Sequence, residues 1–227
     1  MKQTFTSFFV ALFLMGSIIA QDCPMYFIPE EGKVIELTHY DKKDKVTGIT
    51  EQEVIEKEST PEGMSLKIGS TMKDKKGEEI GTSEFIVKCE NGVYYFDMNN
   101  YLSGESMEAY KDMNFTVESD AIEIPANPQP GDELKGGSVQ VKVEGMDMMN
   151  MNMSVSDRKV EAIEDITTPA GTFKCVKITY NFKSKVAFVN VQGSGVDWIS
   201  KDLGSVRTES YAKNGKLTGY TELTAIK

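Results

Sequence analysis

Residues 164–180 read Glu164-Asp-Ile-Thr-Thr-Pro169-Ala-Gly171-Thr-Phe173-Lys-Cys175-Val-Lys-Ile178-Thr-Tyr180 and decide the fold. Pro169 fixes its own φ and Gly171 tolerates a positive φ, so the Pro-Ala-Gly sequence predicts a tight turn. A run of alternating residues with high strand propensity follows it, and a strand at 158–163 precedes it. We therefore expect Phe173 and Cys175 to enter a sheet in register at the centre of the second half of the chain.

The rest of the chain after residue 30 repeats this pattern of short alternating stretches and turns. Asn91-Gly92 predicts a type I′ hairpin, because both central residues of that turn need a positive φ, and Asn214-Gly215 predicts a further hairpin. Between 101 and 113 the strand pattern fails, and 106–113 has the spacing of one short helix. The predicted fold class is mostly β, a large antiparallel twisted sheet or partly open barrel with at most one short helix.

Two short stretches in the middle of the chain, 115–117 and 121–124, are predicted to pair as a further hairpin. The prolines of 125–131 then make a stiff loop, since proline cannot donate to a strand ladder. Strands stand on both sides of this loop, and its composition is not that of a flexible linker. We interpret it as a connection within one β-rich domain, residues 21–227.

Residues 1–20 are predicted to be a secretory signal peptide. Lys2 gives a positive start, 8–19 are apolar, and Ala20 ends a run that is too short to span a membrane. A bacterial lipid anchor would need a small residue before its cysteine, whereas Asp22 precedes Cys23. We expect export to the periplasm or the extracellular space as a soluble protein without a lipid anchor, and no later segment is apolar enough to cross a membrane.

The charge of the chain is strongly acidic. The formal net charge is -10, and removing the +1 of Lys2 with the signal peptide makes it -11. The acidic residues are spread along the sequence. Such a surface repels nucleic acid and anionic lipid headgroups, so nucleic acid is excluded as a partner.

Three cysteines follow the predicted cleavage site: Cys23, Cys89 and Cys175. In an oxidising compartment two of them are expected to pair and one to stay free. Cys175 stands inside the strongest strand pattern, which favours a buried free thiol and leaves Cys23 with Cys89 as the predicted bridge. Three pairings are possible, and the sequence does not choose among them.

Two predicted strands carry bulky apolar side chains on one face: Met64, Leu66 and Ile68 in the first, and Met149, Met151 and Met153 in the second. Methionine is flexible and polarisable, so these faces are typical of an irregular core or an adaptable ligand cavity. Thioethers also prefer copper(I). A copper cluster usually adds histidine or a flexible loop, and the single histidine, His39, is far away in the sequence. The apolar interpretation is therefore favoured.

No motif of a catalytic or metal centre is present in the sequence. Gly193-Ser-Gly195 lacks the spacing of a nucleophile elbow. Glu164 and Asp165 are adjacent, so on a strand they point to opposite faces and cannot act on one bond. Calcium loops and phosphate loops are missing as well. We expect a protein that is not an enzyme and that uses no metal or cofactor.

The motifs of the second half resemble a known family. Thr168-Pro-Ala-Gly171-Thr-Phe173-Lys-Cys175 and Val196-Asp-Trp198-Ile-Ser-Lys-Asp-Leu-Gly204 resemble the TapB-like group of exported Bacteroidetes proteins, and Phe85-Ile-Val-Lys-Cys89 fits the same group. The C-terminal part also looks like a wider bacterial envelope family of unknown function. The resemblance covers most of the chain after residue 20 and implies a fold without an established reaction. That fold is similar to the LolA/LolB class, carriers that hold acyl chains against an apolar concave face.

The favoured hypothesis is a non-enzymatic exported envelope protein whose curved sheet binds a hydrophobic ligand or a lipidated partner in an apolar groove. The predicted ligand-binding residues are Met64, Leu66, Ile68, Met149, Met151, Met153 and the only tryptophan, Trp198. The partner would be a hydrophobic small molecule, a lipid or a lipoprotein. The alternative is a structural or interaction module that binds protein or glycan at the cell surface, and the third hypothesis is copper(I) handling.

Overall fold

The computed structural model describes residues 25–28, 30–102, 107, 110, 112–186 and 188–227. Within them the chain forms fourteen strands and two short 3-10 turns, Met98–Tyr101 and Asp147–Met149. The strands are β1 (Val34–Asp41), β2 (Val46–Thr60), β3 (Gly63–Asp74), β4 (Glu79–Glu90), β5 (Val93–Asp97), β6 (Phe115–Ser119), β7 (Ala121–Pro125), β8 (Glu133–Leu134), β9 (Gly137–Val143), β10 (Met151–Thr168), β11 (Gly171–Val186), β12 (Val189–Ser200), β13 (Gly204–Ala212) and β14 (Leu217–Ile226).

One antiparallel sheet contains all of these strands. Its order is β6-β9-β10-β11-β12-β13-β14-β1-β2-β3-β4-β5-β7, with β8 added beside β10. The first and last strands of the domain, β1 and β14, pair near the middle of this order. The sheet curls into a nearly closed barrel, which confirms the predicted mostly β fold class.

The two edges of the sheet meet at Asp120. This residue alone separates β6, which pairs with β9, from β7, which pairs with β5 at the other edge. The Asp120 amide donates to the Ser138 carbonyl (2.8 Å), and its carbonyl accepts from the Met98 amide (3.2 Å). The predicted hairpin between 115–117 and 121–124 is therefore wrong: a single residue is too short for a hairpin loop, and the chain continues from one edge to the other.

The Pro-Ala-Gly turn lies where the sequence predicts it. Thr168 pairs with Gly171 across the turn, and Gly171 has a φ of 139°. Asn91 and Gly92 both have a positive φ, as a type I′ turn requires. The register of the long β10–β11 hairpin is thus set at its turn, and Cys175 lies opposite Glu164.

β10 is longer than the sequence pattern indicates. The methionine run and the predicted strand at 158–163 form one strand, with a bulge between Ser156 and Lys159. Asp157 lies in the bulge with a φ of 51°. The extra residue bends the strand without ending it, and a sequence pattern cannot distinguish such a bulge from a turn. Met149 belongs to the preceding 3-10 turn.

Buried side chains form two groups in the part of the chain that the structure describes. The main core lies inside the barrel and includes Leu66, Ile68, Trp198 and the free, fully buried Cys175. A smaller cluster surrounds Tyr110, Val141, Val143 and Met151. Most of the helix predicted for 106–113 lies outside the described residues, but Met107 and Met113 pack on this smaller cluster. None of the helices in the described part of the chain is long and apolar enough to cross a membrane.

Candidate functional site

A cavity of about 200 Å³, partly open to solvent, lies among side chains of the main core. Apolar side chains make up most of its wall, and a few polar groups lie among them. The lining residues are Tyr26, Phe27, Leu37, Gln52, Phe85, Tyr94, Phe96, Ile122, Ile124, Arg158, Ile178, Asp197, Ile199 and Ser205. This combination of an apolar wall with few polar groups is typical of ligand sites.

Strand alternation builds the aromatic wall of the cavity. Tyr94 and Phe96 are two residues apart on β5, so both point inwards, whereas Tyr95 between them lines a depression on the other side. Tyr94 lies opposite Ile124 and Phe96 opposite Ile122 on β7. Each pair forms a row across the two strands, and the rows give this wall its apolar surface.

The N-terminal segment Met25–Ile28 completes the aromatic wall. All four of its residues are buried, although none belongs to a strand. The ring of Tyr26 packs edge-on against Tyr94 (centroids 5.6 Å apart), and Phe27 packs against Phe85 (6.3 Å). The segment is anchored by the Asp202 amide, which donates to the Met25 carbonyl (2.6 Å). It therefore fills part of the space that the strands enclose.

Arg158 gives the cavity a buried positive charge. It lies on β10, and its Nη1 donates to the carbonyls of Glu123 (2.9 Å) and Lys135 (2.8 Å). Glu123 belongs to β7, the opposite edge of the sheet, so the arginine links the two edges across the gap. A guanidinium suits this position because it carries several donors in a fixed plane.

Asp197 provides the opposite charge on β12. Tyr180 Oη donates to its Oδ1 (3.3 Å), and Thr208 lies opposite it on β13. The side chain is enclosed by the protein, and the accessible surface that it keeps faces the cavity. Burial raises the pKa of Asp197 from 3.8 to about 6, because it disfavours the carboxylate more than the bonds from Thr208 and Tyr180 and the charge of Arg158 favour it.

Two glycines of β12 make room for the aromatic rings beside this polar pair. Gly195 lies opposite Tyr180, and Gly193 opposite Phe182. A Cβ at Gly195 would overlap the Tyr180 ring, and one at Gly193 would overlap the backbone of Tyr211 and crowd the Phe182 ring. The Gly193-Ser-Gly195 sequence thus lets aromatic rings of β11 lie flat across β12, and this position brings Tyr180 to Asp197.

Six of the seven predicted ligand-binding residues lie in the two groups of buried side chains, and none of the seven lines the cavity. The seventh, Met153, is half-buried on β10, opposite Val139 and Ser184. Leu66 and Ile68 are fully buried in the main core, and Met64 packs against it. Met149 and Met151 belong to the smaller cluster. A contact between these residues and a ligand stays a prediction.

Trp198 belongs to the main core and is held by polar contacts. Its Nε1 donates to Glu164 Oε1 (2.7 Å), and Lys177 Nζ lies 5.1 Å from its ring centroid. The hydrogen bond from Trp198 lowers the pKa of Glu164. These contacts join β10, β11 and β12, so the structural role of Trp198 is to link three neighbouring strands.

Two side chains that often react in enzymes, His39 and Cys175, lie in environments that disfavour their charged forms. His39 is hydrogen bonded through Nδ1 to Thr221 (2.9 Å) and through Nε2 to Thr50 (2.7 Å), and burial lowers its pKa. Burial also raises the pKa of Cys175 to about 12, so the thiolate that a nucleophile requires is not formed. In the described part of the chain, no group of three His, Cys, Asp or Glu side chains is placed to hold a metal ion.

Cys23 lies outside the described residues, and the Cys23–Cys89 bridge stays a prediction. Cys89 is fully buried on β4, opposite Tyr94.

Sequence reasoning missed Arg158 and Asp197. One signal was available: the chain has only two arginines, Arg158 and Arg207, among 25 basic residues. Arg207 is paired with Glu209 and Glu222 and stacks on Tyr220 (4.6 Å). Both arginines thus lie where a planar group makes several contacts, and the scarcity of arginine in a lysine-rich chain is the sequence signal for these two positions.

Comparison with known proteins agrees with this architecture. The chain is similar to a solved structure of a predicted exported protein with a YmcC-like fold from Bacteroides fragilis, at 25% identity and a TM-score of 0.75, over 90% of this chain and 100% of that one. It is also similar to a predicted lipoprotein from Parabacteroides distasonis, at 29% identity and a TM-score of 0.76, over 91% and 100% of the two chains. A search of curated proteins finds no match.

The two similar structures support the coarse part of the resemblance, which is an exported or lipoprotein-like protein of Bacteroidetes, and the TapB-like name is not confirmed. A family model matches residues 30–223, which span β1 to β14. The chain belongs to the DUF3108-like family.

Proposed function

We propose that this chain is a non-enzymatic exported protein that binds a small hydrophobic or amphipathic ligand inside the barrel. The observation that carries the proposal is the interior cavity, with an aromatic and aliphatic wall and the charged pair Arg158 and Asp197 among it. Burying a guanidinium and a carboxylate in an otherwise apolar space costs free energy, so the presence of both in the cavity wall favours a binding role.

The volume of the cavity limits the ligand. About 200 Å³ is smaller than the roughly 300–1,000 Å³ of sites for drug-sized molecules. It holds a small molecule or the end of an acyl chain, and a whole acyl chain needs more room. That room exists if Tyr26 and Phe27 leave the wall, because among the described lining residues only these two lie outside a strand.

The polar groups would orient the ligand. Asp197 accepts hydrogen bonds, and Arg158 keeps a positive charge beside it, so the pair is close to neutral overall. A ligand with an apolar body and an uncharged donor such as a hydroxyl group fits this arrangement. Its apolar part would lie against Phe85 and Phe96, whose rings pack edge-on (5.9 Å).

Native mass spectrometry after gentle purification tests the proposal. We expect the protein to carry an extractable small molecule or lipid. Ile199→Phe, which adds volume to the cavity wall, should abolish the bound mass, whereas Ile163→Phe on the exposed side of β10 should keep it. A ligand-free spectrum of the wild-type protein, or equal loss in both variants, contradicts the proposal.

Export is supported by the two similar structures, one of a predicted exported protein and one of a predicted lipoprotein. We further propose cleavage after Ala20 and a mature protein without a lipid anchor, since Asp22 precedes Cys23. The mass of the mature protein distinguishes the outcomes: an acylated Cys23 would be heavier than a free N-terminus at Gln21.

Copper(I) handling remains a second candidate because of one observation. Four methionines gather at the smaller cluster around Tyr110, whose hydroxyl donates to the Met149 carbonyl (2.8 Å): Met107, Met113, Met149 and Met151. Thioethers are the ligands that copper(I) prefers, although the same residues pack a core equally well. Titration with copper(I) under reducing conditions tests it, and the absence of stoichiometric binding rejects it.

A further inference from the structure

The end of the β11–β12 hairpin is exposed and apolar. Phe188 is 76% exposed and Val189 64%, and Val186 and Val191 are exposed as well. Val186 pairs with Val189 across the turn, and Ser184 with Val191, so the valines share one face of the hairpin. Clustered exposed apolar side chains of this size mark a contact surface on a protein that is otherwise well packed.

A second exposed apolar turn lies beside this hairpin. Met151 at the start of β10 pairs with Val186 at the end of β11, so the turn before β10 is a neighbour of the hairpin end. In that turn Met148 is 65% exposed and Met146 is also exposed. Together the two turns form one surface, here called the apolar rim, which consists of Met146, Met148, Val186, Phe188, Val189 and Val191.

The charge behind the apolar rim is opposite to that of the whole chain. No acidic residue occurs between Asp165 and Asp197, although the sequence has 35 of them. Lys183 and Lys185 lie exposed on the face of the hairpin opposite to the valines, where they pair with Gln192 and Asn190. Hydrogen bonds from Asn181 and Ser156, together with the charge of Lys183, lower the pKa of Asp157 on the neighbouring strand. The hairpin is therefore locally basic.

We propose that the apolar rim binds the surface of an anionic lipid bilayer. Phe188 and the valines would enter the interfacial region, and Lys183 and Lys185 would contact the lipid phosphates, since long basic side chains extend towards the headgroups. The net charge of -10 makes most of the protein surface repel anionic headgroups, but the hairpin that carries Lys183 and Lys185 is locally basic. The acidic remainder of the surface then disfavours other orientations and directs the basic hairpin to the bilayer.

Co-sedimentation with lipid vesicles tests this proposal. The wild-type protein should sediment with vesicles of phosphatidylcholine and phosphatidylglycerol and much less with phosphatidylcholine alone. Phe188→Asp should weaken binding by at least about tenfold, because the variant lacks the phenyl ring whose transfer from water into the bilayer favours binding. Lys183→Glu with Lys185→Glu should weaken binding to the anionic vesicles by about fivefold or more for each lysine.

Ile80→Asp is the matched control, because Ile80 is 62% exposed on β4, outside the apolar rim. It should bind as the wild-type protein does. The proposal is overturned if the wild-type protein does not sediment with anionic vesicles, or if Ile80→Asp loses as much binding as Phe188→Asp. It is also overturned if the protein forms a dimer that Phe188→Asp dissociates while vesicles are not bound, since the rim then contacts a second copy. None of these outcomes affects the interior cavity, which Ile199→Phe tests separately.

Discussion

Replacing Asp197 with asparagine should stabilise the protein at alkaline pH. The pKa of Asp197 is raised from 3.8 to about 6, so the folded state disfavours the ionised carboxylate. Two units of pKa at about 1.4 kcal/mol each correspond to about 3 kcal/mol of unfolding free energy. This figure already contains the attraction of Arg158, which acts on the same pKa. Asparagine keeps the acceptor for Tyr180 and has no charge to bury.

The sign of the effect follows from the direction of the shift. An acid whose folded pKa lies above its unfolded pKa binds more protons in the folded state between the two values, so stability falls as pH rises from about 4 to about 6. The free energy of unfolding of Asp197→Asn should therefore exceed that of the wild-type protein by up to about 3 kcal/mol at pH 8. Below about pH 4 the two should differ little.

Urea denaturation at these two pH values measures the difference. Asp112→Asn, at an exposed position, is the control and should change stability by less than about 0.5 kcal/mol at either pH. If Asp197→Asn is less stable than the wild-type protein at pH 8, the attraction of the Arg158 charge and the hydrogen bonds to the carboxylate outweigh the cost of its burial, and the reasoning is refuted. If it is more stable, the carboxylate is retained at a cost in stability, as is common for groups that bind a ligand.

Three further predictions concern the same interior. Gly195→Ala should destabilise the protein by about 1–3 kcal/mol and displace Tyr180, whereas Gly81→Ala, whose Cβ meets only ordinary contacts, should not; equal unfolding midpoints would contradict this. Cys175 should stay unreactive towards maleimide at pH 8 until the protein unfolds, since burial raises its pKa to about 12; rapid labelling of the folded protein would disprove its burial. Burial lowers the pKa of His39, so its contribution to stability should be complete above about pH 6.5 and decline as pH falls; His39→Gln should remove that decline, and an unchanged pH profile would argue against it.

The sequence pattern could not predict how the two edges of the sheet come together. Residues 115–119 and 121–125 both alternate and stand one after the other, so a local interpretation pairs them. Their true partners, β9 and β5, are chosen by the curvature of the whole sheet, which brings its two edges together at Asp120. Pairing between strands that are distant in sequence leaves no local signal, because alternation records which face is buried and not which neighbour is bound.

The candidate site could not be predicted from the sequence either, and the reason is physical. Arg158 and Asp197 are polar residues at positions where the strand pattern expects an inward apolar side chain, and in the sequence they resemble surface residues. Their burial depends on Tyr180, Thr208 and the carbonyls of a distant edge, which only the closed barrel provides. The aromatic residues were visible in the sequence, but which of them share one wall was not.

The sequence by itself determined the fold class, the turns at Asn91-Gly92 and Pro169-Ala-Gly171 and the buried state of Cys175, because these follow from alternation and from the φ values that glycine, proline and asparagine allow. The tertiary structure decided the order of the strands, the continuity of the methionine run with the strand at 158–163, and the position of Arg158 and Asp197 in the wall of one cavity. Local propensity acts over a few residues, whereas a cavity exists only where strands from the whole chain close around it.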